Sequence, residues 1–431
     1  VTDPDTLHVW YERDLVGHLW RDPANVIGFR YDDNWHERGF PISQSLPLTD
    51  APYQPHDGLA QRFFGNLLPE GNLRDRIVRE LKLPDTDFDL LRAIGGECAG
   101  ALTVLPDDEE PATEPDYEEL QEESLHRLIL TRGRYYETAA GEKNAARSRK
   151  RPRLSLAGAQ NKCPVLIRNE RYFLPQGESP STHILKFAVP DWRNVPLYEA
   201  FLTLLARNIG LNVVGLELEV IEIEATPHEY LVIPRYDRDG HDGKRVQRLH
   251  QEDFCQALGI GRQSKYEEEG AAGANFAKCY RLLRDVSTEP AYDLTQLLRW
   301  QIFNYLAGNA DGHAKNLSLL YRSTGDVRLA PFYDLVCTQA IAHVDTHLAL
   351  SIAGERRPGQ VRHTHWEQFA RELRVRPNYL LGLLKEDTET IRRELPRSLE
   401  SFRDLYGPCP ALQRVEQVVQ QQCRLAGREI A

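Results

Sequence analysis

The sequence predicts an α+β protein in two lobes, a mixed strand-and-helix front half and a mostly helical rear half. Three observations lead there. Short apolar runs with strand character crowd residues 7–105 and 162–233. Beyond about residue 250 helical spacing takes over, interrupted by one hairpin near 317–333 and resuming from about 365. With 431 residues, 41% of them hydrophobic and 27% charged, the chain has material for more than one core.

The elements read in order as follows. Leu7–Tyr11 is an opening strand and Leu15–Leu19 its hairpin partner. Leu59–Leu83 has helical spacing, interrupted at Pro69-Glu70-Gly71, and Ala99–Leu105 reads as a strand. Residues 1–106 thus form an α/β module. The composition then shifts. Asp107–Glu123 holds ten acidic residues, and Lys143, Arg147, Arg149, Lys150, Arg151 and Arg153 crowd the eleven positions 143–153, beside Gly141 and Ala-rich sequence. Residues 107–152 therefore read as an acidic, then basic, solvated linker or loop region. In 153–236 the strand signals are Lys162–Arg168, Arg171–Leu174, His183–Phe187, Leu216–Ile223 and Tyr230–Ile233, with a turn at Asn169-Glu170 and a break at Pro234. Leu197–Ile209 is a helix between them. Residues 237–431 make the mainly helical lobe.

Composition excludes several classes. Lys+Arg is 53 against 64 Asp+Glu, a net charge of −11, so strong DNA binding by this chain alone is not expected. No apolar run reaches the roughly 20 residues of a membrane span, and no secretory leader is visible at Val1-Thr2-Asp3-Pro4-Asp5. The seven cysteines are scattered without a C-x-x-C pair, which argues against a zinc site or disulfide framework and for a reducing cytoplasm.

The chemistry-bearing segment is Asn309-Ala310-Asp311-Gly312-His313-Ala314-Lys315-Asn316. It follows a helix whose apolar stripe is Leu294, Leu297, Leu298, Ile302, Tyr305 and Leu306, and precedes a hairpin running into Tyr333-Asp334. An Asp, an Asn five residues on, a hairpin and a second Asp is the order of a kinase catalytic centre. There the first Asp accepts the proton of the attacking hydroxyl, and the Asn and second Asp hold Mg²⁺ through oxygen. The roles fall on Asp311, Asn316 and Asp334. The plainer alternative is a capped helix and hairpin using Asp and Asn as turn formers. Upstream, Ser155–Lys162 is a small-residue turn whose backbone can approach a phosphate. Lys186 lies in an apolar strand, Glu199 on the next helix is its candidate ion-pair partner, and Pro234-Arg235-Tyr236 is a candidate adenine hinge. Cradle, lysine, glutamate, hinge, base and two metal ligands then occur in kinase order.

Ser155-Leu156-Ala157-Gly158-Ala159-Gln160, Thr182–Lys186, Gln251–Gln256, Asp311–Asn316 and Pro331–Asp334 resemble the HipA family. So do Asn66–Gly71, Arg74-Asp75-Arg76 and Ile94–Ala101 in the front module. The resemblance implies a two-lobed protein-kinase-like fold and a serine/threonine kinase, using ATP and Mg²⁺, that acts as the toxin of a bacterial toxin–antitoxin pair. It implies Asp311 as catalytic base, and Asn316 and Asp334 as metal ligands. Nucleotide contacts fall on Ala157, Gly158, Ala159, Gln160, Asn161, Lys162, Lys186, Pro234, Arg235, Tyr236, His313 and Lys315. It further implies self-inhibition through autophosphorylation of Ser155, glutamyl-tRNA synthetase as substrate with arrested translation and persistence, and a HipB-like helix-turn-helix antitoxin through which operator DNA is held. Arg371 and Arg374 lie on a helical stretch where the resemblance allows contact with the DNA backbone, read instead as an exposed basic face. The rivals are a kinase-like enzyme acting on a small molecule or lipid, and an inactive corepressor subunit.

Overall fold

The computed structural model describes residues 5–134, 152–158, 160–188, 192, 194–240, 246–268, 273–323 and 325–430. Ala159 and the basic cluster from Lys143 to Arg151 lie outside them. The chain divides into two compact units, one of residues 1–189, 219–262 and 320–324, the other of 190–218, 263–319 and 325–431.

The first unit holds two sheets. Strands β1 (Thr6–Tyr11), β2 (Asp14–Arg21), β3 (Ile27–Tyr31) and β4 (Leu102–Pro106) form an antiparallel sheet in the order β3-β2-β1-β4. Leu7 pairs with Leu19 and Val9 with Gly17. Period-2 alternation therefore puts Leu7, Val9 and Leu19 in one core with Phe63, Phe64, Phe88 and Leu91 from the helices Leu59–Gly65 and Asp87–Ile94.

The second sheet comprises β5 (Asp116–Glu119), β6 (Lys162–Arg168), β7 (Arg171–Gln176), β8 (His183–Phe187), β9 (Glu217–Ile223) and β10 (Thr226–Pro234), in the order β5-β7-β6-β8-β10-β9. Asn169 and Glu170 both adopt left-handed backbone, as a two-residue hairpin turn requires. Lys186 on β8 pairs with Lys162 on one side and Leu231 on the other, so the lysine sits mid-sheet.

Two expectations change. The acidic stretch is not all linker: Asp116–Glu119 pairs with β7, and Glu122–Leu130 is a helix burying Leu128 and Ile129. An edge strand is held by backbone hydrogen bonds while its acidic side chains stay in water, so its composition reads as loop. Likewise β10 begins at Thr226 and runs through Pro234, which pairs with His183; a proline at a strand end sacrifices little.

The second unit is built on the helix Pro290–Ala307, packed by Phe276–Val286, Pro377–Tyr406 and Leu412–Ile430. The expected apolar stripe is an understatement. Leu294 is only partly buried, but Gln296, Trp300, Gln301, Phe303 and Asn304 join the other five stripe residues inside, so this is a central helix rather than a surface one. It stops at Gly308, whose left-handed conformation (φ 69°) turns the chain out.

Candidate active site

From Trp300 to Leu320 every residue is buried except one, Asp311. The segment is fixed from behind. Asn309 Nδ2 donates to Asn304 Oδ1 at 2.9 Å, and Asn309 Oδ1 accepts the Asp311 N–H at 3.1 Å. The Thr338 hydroxyl accepts the Ala310 N–H at 2.8 Å. Gly312 has no room for a side chain, because a Cβ there would lie 2.4 Å from Asn304 Nδ2. A single carboxylate is therefore presented to solvent on a backbone held by buried hydrogen bonds. The Tyr266 hydroxyl donates to its Oδ1 at 2.8 Å.

Of the candidate metal ligands, Asn316 lies on this segment, and the residue preceding Asp334 is tied to it. Asn316 Nδ2 donates to the Asp311 carbonyl at 2.9 Å, so the amide nitrogen is committed and the oxygen is the donor left for a cation. The Tyr333 hydroxyl donates to the Lys315 carbonyl and lies 2.8 Å from Ser318 Oγ, tying the strand exit before Asp334 to the turn carrying Asn316. Asp334 itself has left-handed backbone (φ 57°), a conformation a non-glycine residue keeps only when its surroundings impose it. Asn and Asp oxygens suit a hard divalent ion such as Mg²⁺. His313 and Lys315 are both buried. The His313 Nδ1 has no hydrogen-bond partner, its ring stands edge-on to Tyr266, and burial, then Lys265 and Lys315, push its pKa below the ordinary value against Asp311 and Asp334.

In the first unit, the expected nucleotide loop is docked rather than loose. The Ser155 N–H donates to the Glu97 carbonyl at 2.9 Å and its hydroxyl to the Leu67 carbonyl at 2.8 Å, with no side-chain exposure left. Glu97 bridges Leu154, and Pro69 bridges Gly158, whose φ is 109°. Lys162 Nζ donates to the Ala157 carbonyl, Gln160 Nε2 to the Phe187 carbonyl at 3.0 Å, and Arg76 to Asn161 Oδ1 at 3.2 Å. Lys186 is 5% exposed on β8.

The hinge candidates divide. The Arg235 guanidinium is consumed by Glu97, Asp237, Ser181 and the Cys98 carbonyl, and its N–H by the Thr182 carbonyl. Its side chain is structural, so only its carbonyl is left to offer a base. Tyr236 donates its hydroxyl to Gln251 Oε1. Glu199 is buried in the first turns of the helix Val195–Asn208 in the second unit.

Two family models match the chain, the HipA N-terminal domain over residues 7–105 and the HipA-like C-terminal domain over 154–399. The Y4mE protein of Sinorhizobium fredii, a kinase by inference, is 36% identical over 408 residues, 93% of each chain. The chain belongs to the HipA family. Shewanella oneidensis HipA, named a serine/threonine-protein kinase toxin, is 28% identical over 400 residues, covering 89% of this chain and 86% of that one. The solved complex of Shewanella HipA with HipB and its operator DNA superposes at TM-score 0.80 with 26% identity, covering 98% of this chain and 97% of that one. The fold is thus α+β and HipA-like, and the chain is a serine/threonine-protein kinase of this family. Among the described residues no helix is long and apolar enough to cross a membrane.

Sequence reasoning missed two features of this HipA-family site. One is Tyr266, whose loop carries no periodic signal. The other is a buried ionic cluster in which Glu97 accepts from Arg235, Arg238 and Arg248 at 2.6–2.9 Å, while Asp237 engages Arg235 and Arg238. Burial alone would raise the Glu97 pKa. The three guanidiniums and the Ser181 N–H outweigh it and hold the carboxyl at about 2. The two quoted motifs Ile94–Ala101 and Pro234–Tyr236 meet in that cluster, which was the available signal. The basic reading of Arg371 is tempered by its ion pair with Glu367 on the same exposed helix face.

Proposed function

We propose that this chain transfers the γ-phosphoryl group of Mg²⁺-ATP to a serine or threonine hydroxyl of a protein, with Asp311 as base. The observation that carries the reading is the lone exposed carboxylate in a buried, hydrogen-bonded segment. Asp311 accepts the proton of the acceptor hydroxyl and orients its oxygen for attack. Asn316 and Asp334 would hold Mg²⁺, which when bound neutralises charge on the phosphates. Lys186 and the Ala157–Lys162 loop, Ala159 included, bind the phosphates. Pro234, the Arg235 carbonyl and Tyr236 border the adenine, His313 and Lys315 complete the nucleotide contacts, and Glu199 orients Lys186.

The partner is a HipB-like antitoxin that holds operator DNA, with this chain as corepressor; the reading is supported by the likeness to Shewanella HipA, solved in complex with HipB and its operator DNA. The toxin's target is glutamyl-tRNA synthetase, whose phosphorylation stops translation and leads to persistence. Ser155 is the autophosphorylation site, and its modification silences the enzyme. The chain works in the cytoplasm.

Incubation of the full chain with labelled ATP, Mg²⁺ and purified glutamyl-tRNA synthetase or a cell lysate tests the reading. Label is expected in a protein band and absent with Asp311→Asn, a loss of roughly 10²–10⁴-fold for a missing general base. Label retained by that variant, or entering only small molecules or lipids, would refute it.

A further inference from the structure

We propose that Tyr266 is a positioning residue for the base: it holds one oxygen of the Asp311 carboxylate so that the other meets the acceptor hydroxyl. The inference deepens the kinase reading and rests on it. The phenol donates to Asp311 Oδ1 at 2.8 Å. An ionised carboxylate accepts through both oxygens, so engaging Oδ1 leaves Oδ2 as the proton acceptor.

The donor is itself built into place. On one side of Tyr266, the Lys265 carbonyl accepts the Ala314 N–H at 3.3 Å, which fastens the strap to the catalytic segment. On the other, the Glu267 N–H donates to the Ala349 carbonyl at 2.9 Å. The Glu267 carboxylate accepts the Ser351 N–H at 2.8 Å and its hydroxyl at 2.7 Å. The next carbonyl along, Leu350 O, accepts from Gln301 Nε2 of the central helix at 2.9 Å. The same helix ends at Gly308 and launches the Asp311 segment. Strap and base are therefore two branches of one support, and both come back to the helix Pro290–Ala307. The Tyr266 ring stands edge-on to His313, with centroids 5.1 Å apart, which fixes the direction of its hydroxyl.

An exposed Asp turns freely about its side-chain torsions. Pinning one oxygen from a fixed strap removes that freedom before the acceptor arrives, and orientation of a reacting group is worth rate. In the step itself the acceptor oxygen bonds to the γ-phosphorus as its proton passes to Asp311 Oδ2. The bond from that phosphorus to the bridging oxygen breaks, and ADP leaves with the electron pair. Tyr266 keeps its proton throughout.

The test is Tyr266→Phe in the full chain, with steady-state transfer to a protein acceptor, nucleotide affinity by displacement of a fluorescent ATP analogue, and a thermal melt. Phe keeps the ring packing on His313 and removes only the donor, so a purely structural role predicts no change. We expect kcat to fall about tenfold, about 1.4 kcal/mol, with the KM for ATP, nucleotide affinity and melting temperature unchanged. An unchanged or raised kcat, or a loss confined to ATP affinity, overturns the inference. Asp311→Asn in the same assay separates the two failures. If it is inactive while Tyr266→Phe matches wild type, only the role of Tyr266 falls. If it transfers phosphate as wild type does, the base assignment falls first and the inference with it.

Discussion

Replacing Glu97 by Gln should be among the most destabilising single-atom-scale changes available to the first unit. The carboxylate is fully buried and accepts from Arg235 Nη1 at 2.9 Å, Arg238 Nη2 at 2.9 Å, Arg248 Nη2 at 2.6 Å and the Ser181 N–H and hydroxyl at 2.9 and 2.8 Å. Three guanidiniums face two carboxylates, Glu97 and Asp237. The variant leaves three facing one, and its amide NH₂ points a donor at donors. Breaking a buried pair from one side costs about 3–5 kcal/mol. The carboxyl's own titration points the same way: the three guanidiniums hold it at about 2, below the ordinary glutamate range, so the fold favours the carboxylate over a neutral group. Because the folded pKa is depressed, this stability is fully present above pH 4.5 and is lost as pH falls towards 2. Thermal and urea melts of wild type and Glu97→Gln should differ by roughly 10 °C at pH 7, and the gap should narrow below pH 4.5. Glu109→Gln is the control: Glu109 is half exposed opposite Arg153, so it should cost under about 1 kcal/mol. A Glu97→Gln penalty as small as the control's, or a gap indifferent to acid, would refute the reasoning.

Gly312→Ala should lower kcat at least tenfold and cost roughly 1–3 kcal/mol, since its Cβ would strike the Asn304 amide that holds Asn309; Gly359→Ala, with nothing within 4 Å, should change neither in the same assays. Ser155→Ala should stay active and lose its own phosphate by mass spectrometry, at about 1 kcal/mol for the unpaired Leu67 carbonyl; phosphate appearing at another residue instead would remove Ser155 from that role. Glu252 is buried, and burial, eased by the Ser43, Tyr321 and Gln44 donors, pushes its carboxyl up to about 7. A raised carboxyl pKa means stability falls as pH climbs from 4.5 through 7, so Glu252→Gln should gain on wild type in melts between pH 5 and 8.

How much could be read beforehand differs by element. Strands β6 and β8 were legible because Lys162–Arg168 and His183–Phe187 are compact apolar runs between turn residues. The helix Pro290–Ala307 was legible as a helix, but not as a buried one. Its inner face carries Gln296, Gln301 and Asn304, polar residues that look solvated until their partners, the Asn212 N–H, the Leu350 carbonyl and Asn309, are seen. Strand β5 was hidden because acidic side chains say nothing about which backbone groups pair. At the site, Asp311, Asn316 and Asp334 could be picked from residue order, since kinase chemistry dictates types and sequence. Tyr266 reaches Asp311 across 45 residues and Glu97 meets Arg248 across 151. Periodicity compares only near neighbours, so contacts of that span leave no trace in one sequence.

The Glu97 cluster also bears on the order of events in the proposed silencing of the enzyme. The carboxylate of Glu97 is locked by arginines, while its backbone N–H and carbonyl hold Arg153 and Ser155. A docked Ser155 hydroxyl has no exposure and is already used on Leu67, so no kinase centre can reach it there. Phosphorylation therefore has to act on an undocked loop that has released at least the Ser155–Glu97, Ser155–Leu67 and Glu70–Gly158 hydrogen bonds. At about 0.5–1.5 kcal/mol each, that state lies a few kcal/mol up and is visited rarely. A phosphate of about −1.5 to −2 charges cannot then return to a pocket sized for a hydroxyl beneath a backbone carbonyl. If Ser155 is modified as proposed, the rare state would become the stable one, and modification of a minor population would act as a switch rather than as a graded brake.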